Sequence, residues 1–420
     1  MRHVVFVAPR FLENTNRYVA AFASLEGLKL SVISEDPESA IPAALQGRIA
    51  GHYRVDHCLD GKQLAEATKK IDQHVGSVDR LTGAVEQQQM PMAEARDAVG
   101  IAGMGVETAR GFRDKDRMKE ILRARGVPVA KSELVTSPGE LMDFVKRVGF
   151  PIIVKPQAGL GSRATYRVTS QEDLEALART GLVPSREQPL QAEEFVRARE
   201  HTCETITVAG KPVWRSGTRY FPTPLEVLET SWMQYCVLLP REEDDPTWTR
   251  FHPINQAALD ALFGEGARGA ASAAVAGTAL THMEWFLKED GSMLVSEVGA
   301  RPPGVHIMPM MGLAHETDMV RDWCELIAFD RFTPRPRKWA CGAAFFRGQG
   351  AGKRVVSVTG LDEAVAQCGG ALVEARTPKV GQPRAEGYEG EGWAIVKSST
   401  TEGVKKALLS LIENVQVRYG

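Results

Sequence analysis

The stretch Thr281-His282-Met283-Glu284-Trp285-Phe286-Leu287-Lys288-Glu289-Asp290-Gly291-Ser292-Met293-Leu294-Val295-Ser296-Glu297 decides how the rest of the chain is read. Two apolar-rich runs flank Glu289-Asp290-Gly291-Ser292, and Asp-Gly is a preferred two-residue hairpin turn. With Asp290 and Gly291 as that turn, Glu284 falls directly across from Glu297, their Cβ atoms about 5 Å apart. Gly299 and Arg301 share the same face by period-two alternation. Two ionised carboxylates at that separation repel by roughly 3 kcal/mol at an effective dielectric of 20, so something must offset the repulsion. A shared proton is one answer; a hard divalent cation carrying a bound phosphate, with Arg301 nearby, is the better one. Two solvated acids on an exposed strand are the competing reading, and a three-residue turn with a bulge would shift the pairing.

Upstream, Ile152-Ile153-Val154-Lys155-Pro156-Gln157-Ala158-Gly159-Leu160-Gly161-Ser162-Arg163 runs into the strand-like Thr165 to Val168. A glycine-rich loop between two strands is not a Walker loop, which joins strand to helix and ends in Gly-Lys-Ser/Thr. It suits a flexible cover over phosphates, where backbone amides approach unhindered and Lys155 adds positive charge. Gly348-Gln349-Gly350-Ala351-Gly352-Lys353 is one residue short of a Walker loop, with Arg354 where the hydroxyl residue should be, and reads as a structural turn. Arg113 to Arg125 reads as a helix capped by Asp114, with Met118, Ile121 and Leu122 on one face and Gly126 and Pro128 ending it.

At 420 residues the chain is too long for one compact domain. A composition 43% hydrophobic and 25% charged is that of a soluble globular protein. Lys and Arg number 51 against 53 Asp and Glu, a net charge of −2, so no field draws the chain onto polyanions and nucleic acid is not an expected partner. No run of about 18 apolar residues predicts a membrane span, and Met1 to Phe11 lacks the features of an export signal. Six dispersed cysteines without CxxC spacing exclude a zinc or disulfide framework, and reduced thiols in a cytoplasmic protein are expected. The opening β-α-β pattern predicts a parallel sheet, yet the turn Pro9-Arg10-Phe11-Leu12 has no GxGxxG, which disfavours a nicotinamide or flavin enzyme.

Lys115, Lys155 with its glycine loop, Glu193-Glu194-Phe195-Val196 followed by Glu200, Glu284, and Glu297-Val298-Gly299-Ala300-Arg301-Pro302-Pro303-Gly304 resemble, in order and spacing, the ATP-grasp superfamily. The resemblance covers roughly residues 111 to 330; Phe345-Phe346-Arg347-Gly348 and Tyr388-Glu389-Gly390 are similar to the last module of its carboxylate-amine ligases, the L-amino-acid ligase and carnosine-synthase type. It implies a multidomain α/β and α+β fold: an amino-terminal parallel-sheet domain (1–112), a small lobe with the glycine loop (113–189), a large lobe with the metal site (190–332) and a carboxy-terminal module (333–420).

The same resemblance implies that Lys115 and Lys155 contact ATP phosphates, that Gly159, Gly161 and Ser162 cover them, and that Glu193, Glu194, Phe195 and Val196 form the interlobe hinge. Phe195 and Val196 would offer backbone groups to adenine and Glu200 would take ribose hydroxyls; Glu284 and Glu297 would bridge Mg2+ or Mn2+, and Arg301 would hold the transferred phosphoryl group. Many members carry Asn where this chain has Gly299, so coordination is less complete. Gly304, His306, Trp214, Tyr220 and Trp232 are candidates for the substrate pocket, and His282 shares the face of Glu284. The expected activity is ATP-dependent joining of a small-molecule carboxylate to an amine, with amino-acid ligation favoured. Activation of formate or bicarbonate, and a non-catalytic nucleotide-binding regulator, are the alternatives. A homodimer is an expectation from the resemblance.

Overall fold

The computed structural model describes residues 1–156, 165–230, 233–266 and 276–420. Strands β1 (Arg2–Val7), β2 (Leu28–Ser34), β3 (Gly51–Arg54) and β4 (Arg80–Thr82) form a parallel sheet in the order β3-β2-β1-β4. Both faces of β1 are covered. Val4 and Phe6 pack toward the helices Glu13–Ala23 and Met319–Phe329, and Val5 and Val7 toward Gly61–Val75 and Gln89–Val99.

A second sheet holds β5 (Ser132–Val135), β6 (Ile152–Pro156), β7 (Tyr166–Val168) and β8 (Leu190–Glu194) in the order β5-β8-β6-β7, all antiparallel. Its pairing differs from the boundary expected at 189/190: β8 bonds to both β5 and β6, so this lobe closes only at Glu194.

The third sheet comprises β9 (Arg199–Val208), β10 (Lys211–Phe221), β11 (Tyr235–Leu239), β12 (Ala279–Leu287), β13 (Met293–Gly299), β14 (Ala340–Phe346), β16 (Leu372–Arg376) and β17 (Gly392–Ser398). Their order is β13-β12-β9-β10-β11-β14-β17-β16, while β15 (Val355–Thr359) pairs with β18 (Gln416–Tyr419) beside it. Carboxy-terminal strands β14, β16 and β17 therefore prolong the large lobe's sheet, while β15 and β18 form a separate pair. The basic, proline-rich segment 333–337, just past the boundary expected at 332/333, is pinned. Arg337 is buried and donates to the Pro240 carbonyl and the Ser216 hydroxyl, and Arg335 pairs with Asp322.

One side of β9, β12 and β13 presents Cys203, Met283, Trp285, Leu287, Val295 and Val298 to the helices Lys115–Ala124 and His252–Gly266. Trp285 stacks on Phe251 at 4.0 Å and on His201 at 4.6 Å. Helix Lys115–Ala124 starts where expected, its Asp114 cap accepting from the amides of Asp116 and Arg117, and its buried Met118, Ile121 and Leu122 fasten it to this sheet. The opposite side of the same strands faces the cleft between the lobes.

Candidate active site

A cavity of about 520 Å³ occupies that cleft. Ile153, Lys155 and Arg167 line it from the small lobe, Glu193 to Ala198 and Glu200 from the connection, Tyr220, Glu284, Glu297 and Arg301 from the large lobe, and Glu86 and Tyr388 from the amino- and carboxy-terminal parts of the chain.

The hairpin that places the acids is built differently from the two-residue turn expected. Lys288 and Ser292 close a three-residue turn, Glu289-Asp290-Gly291, with Gly291 at φ +79°. That turn alone would put Glu284 opposite Ser296. The pairing shifts between Glu284 and Trp285, however: Trp285 faces Val295, and Glu284 faces Glu297, leaving Ser296 as a bulge. The bulge also resets the alternation. Met293 and Val295 point into the apolar core, and in unbroken alternation Glu297 would follow them; with Ser296 bulged out of the pairing, Val298 goes inward and Glu297 reaches the cleft.

Each acid has acquired partners. Lys115, in the first turn of its helix, is ion-paired with Glu297. Burial alone would raise the Glu297 carboxyl, but Lys115 and Lys155 hold it down at about 2. Burial works against a charged Lys115 too, and Glu297 more than compensates, leaving the ammonium above its ordinary value. The Tyr220 hydroxyl donates to Glu284 Oε1 at 3.4 Å, and His282 Nε2 lies 3.6 Å from the same oxygen. His282 is also bonded to Glu204 at 2.8 Å; burial lowers its pKa, but the two carboxylates raise it to about 9. Glu200 has a strongly raised carboxyl, first through burial and then through Glu284 and Glu226.

Across the cleft, Lys155 Nζ lies 3.0 Å and Lys119 Nζ 2.5 Å from Glu193 Oε1. Burial opposes ionisation of Glu193, yet the two lysines hold it far below the usual carboxylate range. Lys119, entirely enclosed, is pushed down to about 8 by burial despite Glu193. Arg301 donates to Glu86 through Nε (3.1 Å) and Nη2 (2.8 Å) and to the Pro302 carbonyl through Nη1, while Arg113 approaches the other Glu86 oxygen at 3.2 Å. Arg167 spans the lobes, pairing with Glu229 at 2.5 Å and lying over the Phe195 ring at 5.0 Å.

Of the residues picked from sequence, Lys115, Lys155, Glu193, Glu194, Phe195, Val196, Glu200, Tyr220, Glu284, Glu297, Arg301 and Gly304 all line the cavity. Gly159, Gly161, Ser162 and Trp232 lie outside the described residues. Two candidates are elsewhere. Trp214 is on the same strand as Tyr220 but six residues away, about 20 Å along it, packed against His315 and Phe332. His306 lies against Trp393 at 4.1 Å and Phe345 at 5.7 Å, outside the cavity lining. The Glu193 side chain turns to the lysines, and Glu194 Oε1 accepts from the Lys131 amide.

Lys119, Glu86, Arg167 and Tyr388 were missed. Lys119 is one helical turn from Lys115, a spacing that puts both on one face and could have revealed it. Glu86 reaches Arg301 across 215 residues, a contact no local pattern announces.

Residues 114–205 match the family model described as the carbamoyl-phosphate synthase L chain, ATP binding domain. The chain is similar to an L-arginine-specific L-amino acid ligase of Bacillus subtilis, 25% identical over 291 residues, or 68% of this chain. The match spans 65% of that ligase, just under two thirds of its length. Among solved structures, an L-amino acid ligase from Bacillus licheniformis superposes with a TM-score of 0.75 at 17% identity, covering 100% of this chain and 99% of that one. An N5-carboxyaminoimidazole ribonucleotide synthetase from Thermotoga maritima gives 0.68 at 17% identity, with full coverage of both. The matching ATP-binding domain and these superpositions show that the chain has the ATP-grasp fold.

Proposed function

We propose that this protein is an ATP- and divalent-cation-dependent ligase that activates a carboxylate as an acyl phosphate and joins it to an amine, with two amino acids as the reactants. The observation carrying this reading is the pairing of Glu284 with Glu297 in a cleft that also gathers Lys115, ion-paired to Glu297, and Lys119 and Lys155 around Glu193. Among the described residues no cluster of three or more His, Cys, Asp or Glu side chains is set to hold a metal. Two opposed carboxylates with few further protein ligands suit Mg2+, which keeps waters and takes phosphate oxygens as ligands; Mn2+ has the same preference for oxygen. Glu284 and Glu297 would hold it, and when bound it supplies neutralisation of the phosphate oxygens.

The chain's own groups account for the remainder. Lys115 and Lys155 would exchange their carboxylate partners for the triphosphate, and the substrate carboxylate would attack the γ-phosphorus as ADP leaves. Arg301 would hold the new acyl phosphate. The amine then attacks the acyl carbon, loses a proton to solvent or a nearby base, and phosphate departs with one oxygen of the original carboxylate. This chemistry needs positioning and charge more than a protein nucleophile. The likeness to the B. subtilis ligase supports amino acids as the substrates.

Release of ADP on adding amino-acid pairs, with ¹⁸O passing from the carboxylate into phosphate, is the expected result. ADP formation without isotope transfer would remove the acyl phosphate; turnover only with bicarbonate or formate would replace amino-acid ligation.

A further inference from the structure

We infer that His282 is a positioning residue for the divalent-cation site, an assignment that rests on the metal role proposed above for Glu284 and Glu297. His282 and Glu284 are two residues apart on β12 and share its cleft-facing side, and Glu204 lies directly across from His282 on β9. The imidazole is thereby strung between two carboxylates. Nδ1 is 2.8 Å from Glu204 Oε1, and Nε2 is 3.6 Å from Glu284 Oε1. The ring is anchored through Nδ1 and turns its Nε2 edge to Glu284.

The two carboxylates are not equivalent. The Glu204 side chain is fully buried, so it serves as a fixed post, whereas the Glu284 side chain is 28% exposed at the cavity. Glu284 Oε1 is faced by both His282 and the Tyr220 hydroxyl. A hydrogen bond from Tyr220 and the imidazole edge of His282 against one oxygen restrict how the carboxylate can turn. Gly299, opposite His282 in the register, brings no side chain that could share the task. A carboxylate ligand held from behind is worth roughly 10- to 100-fold in metal affinity.

The test is Mn2+ binding to the full chain in the presence of ADP, followed by the electron paramagnetic resonance signal of free Mn2+. His282→Ala should weaken Mn2+ binding by about 10- to 100-fold, and His282→Gln, which restores an N–H donor, should recover most of it. Glu204→Gln should fall between them. At saturating metal, the KM for ATP should stay near the wild-type value while the Mg2+ requirement rises. Mn2+ affinity within twofold of wild type in a folded His282→Ala protein would overturn the assignment, as would a change confined to the KM of the carboxylate or amine. If His282→Ala does not fold, the Gln and Glu204 variants decide alone. Absence of Mn2+ binding by the wild-type protein with ADP would instead fell the metal reading itself, and this inference with it.

Discussion

The acidic and basic ends of the cleft hold their charges by different means. Glu284 and Glu297 are set by the backbone, on adjoining strands of the largest sheet, and stay opposed as long as the register holds. Lys119 and Lys155 come from a helix and from a strand of another sheet, and converge on one buried carboxylate, Glu193. Hydrogen-bonded register therefore positions one end and ion pairing the other. A change to register should destroy the first outright, whereas a change of charge should loosen the second.

Deleting Val295 together with Ser296 should have the largest effect. It removes the bulge, sets Glu297 in the core position of Val295 opposite Trp285, and should abolish turnover and lower the melting temperature; an active, stable deletion protein would show that register does not set the acidic end. Glu297→Gln keeps the register and removes the charge. Turnover should drop by on the order of 10²–10³-fold with the circular dichroism spectrum unchanged, and near-normal rates would take Glu297 out of the reaction. Glu193→Gln should act on stability as well as binding. Removing the anion between two lysines should cost about 3–5 kcal/mol in chemical denaturation and raise the KM for ATP, with turnover at saturation less affected than in Glu297→Gln.

The smallest expected effect lies behind the acidic strands, where His201 packs between Trp285 and Trp248. Burial pushes its pKa down from 6.5 to about 4. The unfolded chain then binds a proton that the folded one refuses, so stability falls as pH drops from about 6.5 toward 4 and is level above that range, by at most about 3 kcal/mol. His306, also lowered to about 4 by burial, adds to the slope. Denaturation midpoints at neutral pH and at the acid end should differ accordingly, and His201→Gln should flatten part of the difference.

Elements with a strong local signal were legible from sequence: the Asp114-capped helix, the opening β-α-β pattern of the parallel sheet, and the order of lysines and glutamates along the chain. The opposition of Glu284 and Glu297 was also legible, though through a turn the protein does not make. A three-residue turn and a one-residue bulge compensate each other, and neither is written in the Asp-Gly pair. Trp214 shows the limit of composition. An aromatic on the right strand and the right side was a fair pocket candidate, but alternation says nothing about which stretch of a strand a helix covers. Glu86, Arg167 and Tyr388 belong to segments distant in sequence, and tertiary folding alone brings them to the cleft.

The continuity of the large sheet bears on how this protein could be divided. Strand β11 is bonded on one side by β10 and on the other by β14, which begins only at Ala340. A fragment ending near residue 332 would bare the whole flank of Tyr235–Leu239, five buried residues with unanswered amides and carbonyls, inviting self-association. It would also forfeit Tyr388 from the cleft wall. Shortened versions made for crystallisation or fusion should accordingly retain the final strands.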